Sequence, residues 1–201
     1  MKRLVVLASG EGTNLQAVID ACAAGTITAE VVGVVSNKPS SGALARARAA
    51  GIADVAVATQ PLHAETRSDY DARLADAVRS MQPDLVVCAG WMRILSMTFL
   101  KHFDRRVVNL HPAAPGQLAG VESIHRAYQE GRDGIRTHTG VMVHYIVDEG
   151  VDDGPVIDWI EIPLVDSETL DALTGQMHAA EHRLLVDTLA TLCSTGGSND
   201  A

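Results

Sequence analysis

At 201 residues the chain is long enough for one well-filled core and short for two. A composition of 47% hydrophobic but only 3% aromatic residues calls for a core of Ala, Val, Leu and Ile, as in layered α/β proteins. A formal charge of -9 lacks the Lys/Arg excess that a nucleic-acid surface needs. No segment approaches the ~20 apolar residues of a membrane span.

The opening MKRLVVLASGEG begins with cations and an apolar run, but Gly10 and Glu11 end that run too early for a secretory signal. RLVVLAS reads as a buried strand, TNLQAVIDACAAG as a helix capped by Thr13 and stopped by Gly25, and EVVGVVSN as a second strand. A helix at SGALARARAAG, a short strand at VAVA and a charged amphipathic helix at SDYDARLADAVRSM follow. PDLVVCAG is continuously apolar, as in a strand buried on both faces. This order predicts an α/β protein: a Rossmann-like, mostly parallel twisted sheet with helices on both faces.

From TGVMVHYIVDEG the pattern alternates, and GPVIDWIEIPL follows a tight turn, which predicts an antiparallel C-terminal strand pair. A last helix runs from about Ser167 to Leu192, and STGGSNDA reads as a frayed end. The expected organisation is one domain over residues 1–194 and a flexible tail at 195–201. Cys22, Cys88 and Cys193 are odd in number, far apart and outside any C-x-x-C pair, which fits a reducing, cytoplasmic setting with each thiol a small core residue.

In such sheets ligands bind beyond the carboxyl ends of the strands, and the polar peculiarities of this sequence gather there. SGEGTN precedes a helix and would turn the backbone N–H groups of Gly12, Thr13 and Asn14 toward an anion; an ordinary strand-to-helix turn explains it equally well. Leu15 stands where a dinucleotide fingerprint needs its third glycine, so a phosphate suits the loop better than NAD. HAAEH at 178–182 matches an inverted zinc-protease pattern but has no third ligand in prospect, so no metal is expected. In the other reading Glu181 points into the cleft toward a substrate amine or hydroxyl. His63, His102, His125 and His138 read as solvated loop or helix positions.

Asn109 and His111, in RVVNLHP, share one face of a strand that Pro112 ends. A core histidine satisfied by a neighbour is the plain explanation. Against it stands DEGVDDG, whose Asp148, Glu149, Asp152 and Asp153 offer a carboxylate to orient an imidazole. Amide, imidazole and carboxylate together can stabilise an oxyanion and move a proton, with no Ser or Cys beside them to form a covalent intermediate.

Taken together, LVVLASGEGTNLQAVIDA, GWMRILS, NLHPA, TGVMVHYIVDEGVDDGPVI and AEHRLLV resemble the folate-dependent formyltransferase family over nearly the whole chain. The resemblance implies the family's Rossmann-like formyltransferase fold and transfer of a formyl group from 10-formyltetrahydrofolate to the amine of glycinamide ribonucleotide. It assigns catalysis to Asn109, His111 and Asp152, substrate binding to Gly12, Thr13, Asn14 and Glu181, and the folate site to Arg67, Met92, Arg93, Ile94 and Leu95. In this scheme Asn109 and His111 stabilise the developing oxyanion, Asp152 keeps His111 charged or hydrogen-bonded, and His144 supports from behind. The partners implied are small molecules, not nucleic acid or membrane; a homodimer is an expectation at the level of the family.

The chain departs from the family at HPAAPGQLAG, where Pro115 is displaced and Gly116 added, and at Glu122, which replaces a common histidine. A loop one residue longer also makes Asp153 a rival to Asp152. Hydrolysis of the formyl donor is the nearest alternative activity, disfavoured because water needs no anion cradle; an amino-sugar nucleotide is an alternative acceptor. Formylation of initiator tRNA is disfavoured by the acidic charge. The extra regulatory or basic domains of the hydrolase and tRNA-modifying relatives are not expected. A non-enzymatic folate- or nucleotide-binding module is the remaining class.

Overall fold

The computed structural model describes residues 1–57, 65–165 and 169–194. Its strands are β1 (Lys2–Leu7), β2 (Ala29–Ser36), β3 (Asp54–Ala56), β4 (Leu85–Cys88), β5 (Val107–His111), β6 (His138–Tyr145) and β7 (Val156–Pro163). They form one seven-stranded sheet in the order β3-β2-β1-β4-β5-β6-β7. The first five strands pair in parallel, while β6 runs antiparallel to both its neighbours. Chain order reverses between β1 and β4, which opens a crevice at their carboxyl ends.

Alternation along the strands divides the core. Val5, Leu7, Val86, Cys88 and Val107 pack with Tyr70 and Leu74 of α3 (Arg67–Ser80) and Phe99 of α4 (Met97–Leu100). On the opposite face Leu4, Val6, Val87, Val108 and Leu110 meet Leu15 and Val18 of α1 (Thr13–Ala23), Ala43 and Leu44 of α2 (Gly42–Ala49), and Met177 and Leu184 of α6 (Leu170–Ser194). Because both faces are covered, the central strands read as unbroken apolar runs.

Helix boundaries follow local chemistry. Helix α3 starts at a reciprocal capping box, Asp69 N–H to Thr66 Oγ1 and Thr66 N–H to Asp69 Oδ2, each 3.1 Å. Thr13 is not the cap expected of it: α1 is entered through Gly12 at φ 77°, with no side-chain cap, and Thr13 is its first helical residue. Gly25, at φ 75°, does end that helix as expected.

Two short helices were not expected, α4 and α5 (Ser123–Arg132). Four residues are too few to show a period in α4. In α5 the set Ile124, Ala127 and Tyr128 has helical spacing, but it sits in an otherwise polar stretch. His125 lies on its exposed side, and His138 opens β6 rather than a loop or helix. His63, Ser167 and the proposed tail at 195–201 lie outside the described residues. Among the described residues no helix is long and apolar enough to cross a membrane.

Gly12 permits the close approach of β1's exit loop to α2. Its backbone is left-handed, and a Cβ there would sit 2.7 Å from Ala43 Cα. Gly12→Ala is therefore expected to cost about 2–3 kcal/mol from the strained φ and the contact together. That loss corresponds to a fall of roughly 5–10 °C in Tm, measurable by thermal melting.

Candidate active site

One register row carries the site. Leu7 pairs with Cys88, Cys88 with Asn109, and Asn109 with His144, so these side chains stand on the same sheet face. Strand β5 continues two residues past its last pairing with β4, so His111 projects beyond the end of that neighbour. Gly90, at φ 77°, turns the chain away after β4. The result is a cleft of about 530 Å³ bounded by segments 90–95, 109–112, 120–123 and the 146–152 loop.

Asp152 occupies the floor. Its Oδ1 accepts from Asn109 Nδ2 at 3.0 Å, its Oδ2 accepts from the Gly120 N–H at 2.9 Å, and Oδ2 lies 3.2 Å from His111 Nδ1. His144 Nε2 lies 3.5 Å from Oδ1. Asp152 itself adopts φ 54°, and the loop returns to β7 through Gly154, where a Cβ would collide with the Tyr145 carbonyl oxygen. The register slip between Val143 and His144 in the β6–β7 pairing falls beside this return.

The hydrogen-bond pattern fixes two rings and one amide. His144 Nδ1 faces the Tyr145 carbonyl at 3.0 Å, so that nitrogen carries the proton and Nε2 accepts from Asn109 Nδ2 at 3.1 Å. Both N–H groups of Asn109 are thereby committed to Asp152 and His144. His111 faces acceptors at both ends, Asp152 at Nδ1 and the Leu118 carbonyl at Nε2, 3.2 Å away.

Burial lowers the His111 pKa below its ordinary 6.5, although Asp152 and the Leu118 carbonyl favour the charged ring. The resting ring is therefore neutral at pH 7, in surroundings that would satisfy both N–H groups of the imidazolium. Burial would raise the Asp152 pKa, but hydrogen bonding from its neighbours, the Gly120 N–H among them, and the charge on His111 outweigh it and hold the carboxyl below 3.8. This is a carboxylate and an imidazole with opposed preferences, an arrangement suited to moving a proton.

The expected residues distribute unevenly. Asn109, His111 and Asp152 meet in one contact set, while Asp153 turns toward Gly150 instead. Of Gly12, Thr13 and Asn14 at the start of α1, Asn14 lines the cleft, and it hydrogen-bonds Glu181 of α6. Asn14 Oδ1 is buried without a partner.

Met92, Arg93, Ile94 and Leu95 all line the cleft, but the Arg93 guanidinium stacks 4.3 Å from the Tyr70 ring centroid, so the segment contributes backbone and apolar surface. Arg67 stands beside the cleft, bonded to Glu149 at 3.1 Å and 4.0 Å from Asp71. Glu122 lines the mouth and is exposed, at φ 57°. The Leu118 carbonyl and Gly120 N–H, both touching the central pair, escaped the sequence reading because backbone groups leave no residue-type signal. His178 is exposed and 3.9 Å from Glu181; among the described residues no group of three or more His, Cys, Asp or Glu could hold a metal.

Burial raises the Glu181 pKa to about 7, against a partly compensating hydrogen bond from Asn14. The native state thus keeps a proton that the unfolded chain loses near 4.5, so stability is full below pH 4.5 and declines as pH rises toward 7. Glu181→Gln removes that decline. The variant is expected to gain up to about 3 kcal/mol over the parent between pH 4.5 and pH 8, read from urea unfolding at both pH values.

A family model described as Formyl transferase matches residues 2–189. The phosphoribosylglycinamide formyltransferase of Schizosaccharomyces pombe is 42% identical over 196 residues, covering 92% of this chain and 94% of that protein. The Escherichia coli enzyme of the same name is 37% identical, covering 90% and 82%. The crystal structure of phosphoribosylglycinamide formyltransferase from Bacillus halodurans superposes with a TM-score of 0.88 at 34% identity, covering 96% of both chains. The chain belongs to the formyl transferase family.

Proposed function

We propose that this protein transfers a formyl group from 10-formyltetrahydrofolate to the primary amine of glycinamide ribonucleotide, the activity carried in its relatives' names. The observation that carries the reading is the Asp152 carboxylate, held by Asn109, His111 and the Gly120 N–H on the floor of an open cleft. Cys88 also borders the cleft, but burial drives its thiol pKa far up, and a neutral thiol is a poor nucleophile. Transfer is therefore direct, from donor nitrogen to acceptor nitrogen.

In the step itself the amine attacks the formyl carbon, the bond from that carbon to the folate nitrogen breaks, and one proton passes from the amine to the departing nitrogen. Asn109, with both N–H groups committed, offers its amide oxygen to an N–H of the attacking amine. This differs from the oxyanion contact that the resemblance implies for Asn109. Charge developing on the formyl oxygen is offset electrostatically by the His111 ring, whose nitrogens face Asp152 and the Leu118 carbonyl, the two acceptors that favour its charged form.

Substrate placement follows the walls of the cleft. The helix start at Gly12, Thr13 and Asn14 receives the ribonucleotide phosphate, and Glu181, protonated about half the time near pH 7, exchanges hydrogen bonds with a ribose hydroxyl or the amine. Trp91, Ile94 and Leu95 supply an apolar wall for a flat heterocycle, with Met92 and Arg93 contributing backbone. A cleft of about 530 Å³ accommodates such a ring with the acceptor amine beside it. Arg67 meets the donor's acidic tail once it exchanges its bond to Glu149. The three thiols are free, in keeping with a reducing, cytoplasmic compartment.

Formyl-transfer assays on Asn109→Ala, His111→Ala and Asp152→Ala test the reading. Each is expected to lose roughly 10²–10⁴ in turnover while still binding the ribonucleotide. Near-normal turnover in any one of them removes that residue from the chemistry, and normal turnover in all three removes the site.

A further inference from the structure

The loop between β5 and α5, residues 112–122, supplies the carbonyl that faces His111 Nε2. Leu118 adopts φ 47°, a left-handed backbone that costs a leucine free energy unless its surroundings enforce it. The enforcing contacts lie next door. Gln117 Oε1 accepts from Arg136 Nη1, and Gln117 Nε2 approaches His138 Nε2 at 3.3 Å. Arg136 is largely buried and fixed in turn by Glu130 of α5, whose Oε2 accepts from Nε at 2.8 Å and from Nη2 at 2.7 Å. A second arginine, Arg126 of α5, donates to the Ala119 carbonyl at 2.9 Å on the far side of Leu118.

We propose that Gln117 and Arg136 are positioning residues for the formyl-transfer reaction: together they hold the Leu118 carbonyl against His111 Nε2 and so set the orientation of the imidazole. The inference rests on the proposed function for its kinetic consequence but not for its structural one. Neither residue is among those that line the cleft. Their effect passes through a backbone carbonyl one residue from Gln117. That carbonyl accepts from the ring N–H, and with it in place the charged ring has an acceptor at each nitrogen.

The groups acting on His111 come from four elements. Asp152 in the loop after β6 and the Leu118 carbonyl favour the imidazolium, whereas burial, His144 on β6 and Arg126 on α5 oppose it. Glu181 of α6 lines the same cleft. Releasing the carbonyl removes one of the two favourable contacts and leaves the opposing ones in place. The ring then charges less readily, and its titration moves to lower pH.

The test uses three variants, Gln117→Ala, Arg136→Met and Gln117→Glu, the last keeping an acceptor for the arginine. His111 is titrated by NMR without substrate, and kinetics are measured with both substrates. Gln117→Ala and Arg136→Met are expected to lower kcat about five-fold, the worth of one hydrogen bond, at unchanged KM. Both should also move the His111 titration to lower pH, and Gln117→Glu should restore both readouts. Unchanged titration in folded Gln117→Ala and Arg136→Met overturns the brace. If the parent protein fails to formylate glycinamide ribonucleotide, the functional reading falls instead, and the substrate-free titration still decides the brace.

Discussion

Everything at the site is arranged around a single desolvated carboxylate. A charge taken out of water must be paired or hydrogen-bonded on nearly all its lone pairs, or it neutralises. Asp152 meets that demand with Asn109, His111 and Gly120, with His144 close by. These partners come from β5, β6 and the loop after β5, so satisfying one charge locks three parts of the chain together. Three non-glycine residues of the surrounding loops, Leu118, Glu122 and Asp152, sit at positive φ. At about 1 kcal/mol or more each, that strain is comparable to the 1.5–3 kcal/mol of each charge-assisted hydrogen bond, so the site holds only while its contacts are complete.

The sheet makes this arrangement available through register. Val107, Asn109 and His111 alternate with Val108 and Leu110, so the same five residues supply core to both faces and polar groups to one. Because β4 stops at Cys88 while β5 runs on, the polar end of β5 is left uncovered by its parallel neighbour. On its other side β6 returns antiparallel and brings His144 level with Asn109. An antiparallel strand here lets one loop, 146–155, fold back over the strand end with its carboxylate. The cleft consequently has an apolar wall from the segment after β4 and a polar floor from β5, β6 and that loop.

Much of this was legible in the sequence, for reasons that differ by element. Continuous apolar runs such as PDLVVCAG announce strands covered on both sides, and Asn109 and His111 two apart on a strand must share a face. The loop DEGVDDG offered four carboxylates, and only the family resemblance singled out Asp152 among them. What stayed hidden was whatever depends on backbone rather than on residue type: the Leu118 carbonyl, the Gly120 N–H and the left-handed entry to α1 that displaced Thr13 from its expected capping role. Helix α5 was missed because its three apolar residues are diluted by charge, and α4 because it is a single turn. The committed N–H groups of Asn109 emerge only from the tautomer of His144, which no sequence pattern specifies.

The most direct test of the account is release of tetrahydrofolate from 10-formyltetrahydrofolate by purified protein, with and without glycinamide ribonucleotide. Direct transfer on the Asn109–His111–Asp152 floor predicts that release requires the ribonucleotide and matches the formylated product one for one. Equal release in its absence would mean that water is the acceptor, and would contradict the assignment of the cleft to amine formylation.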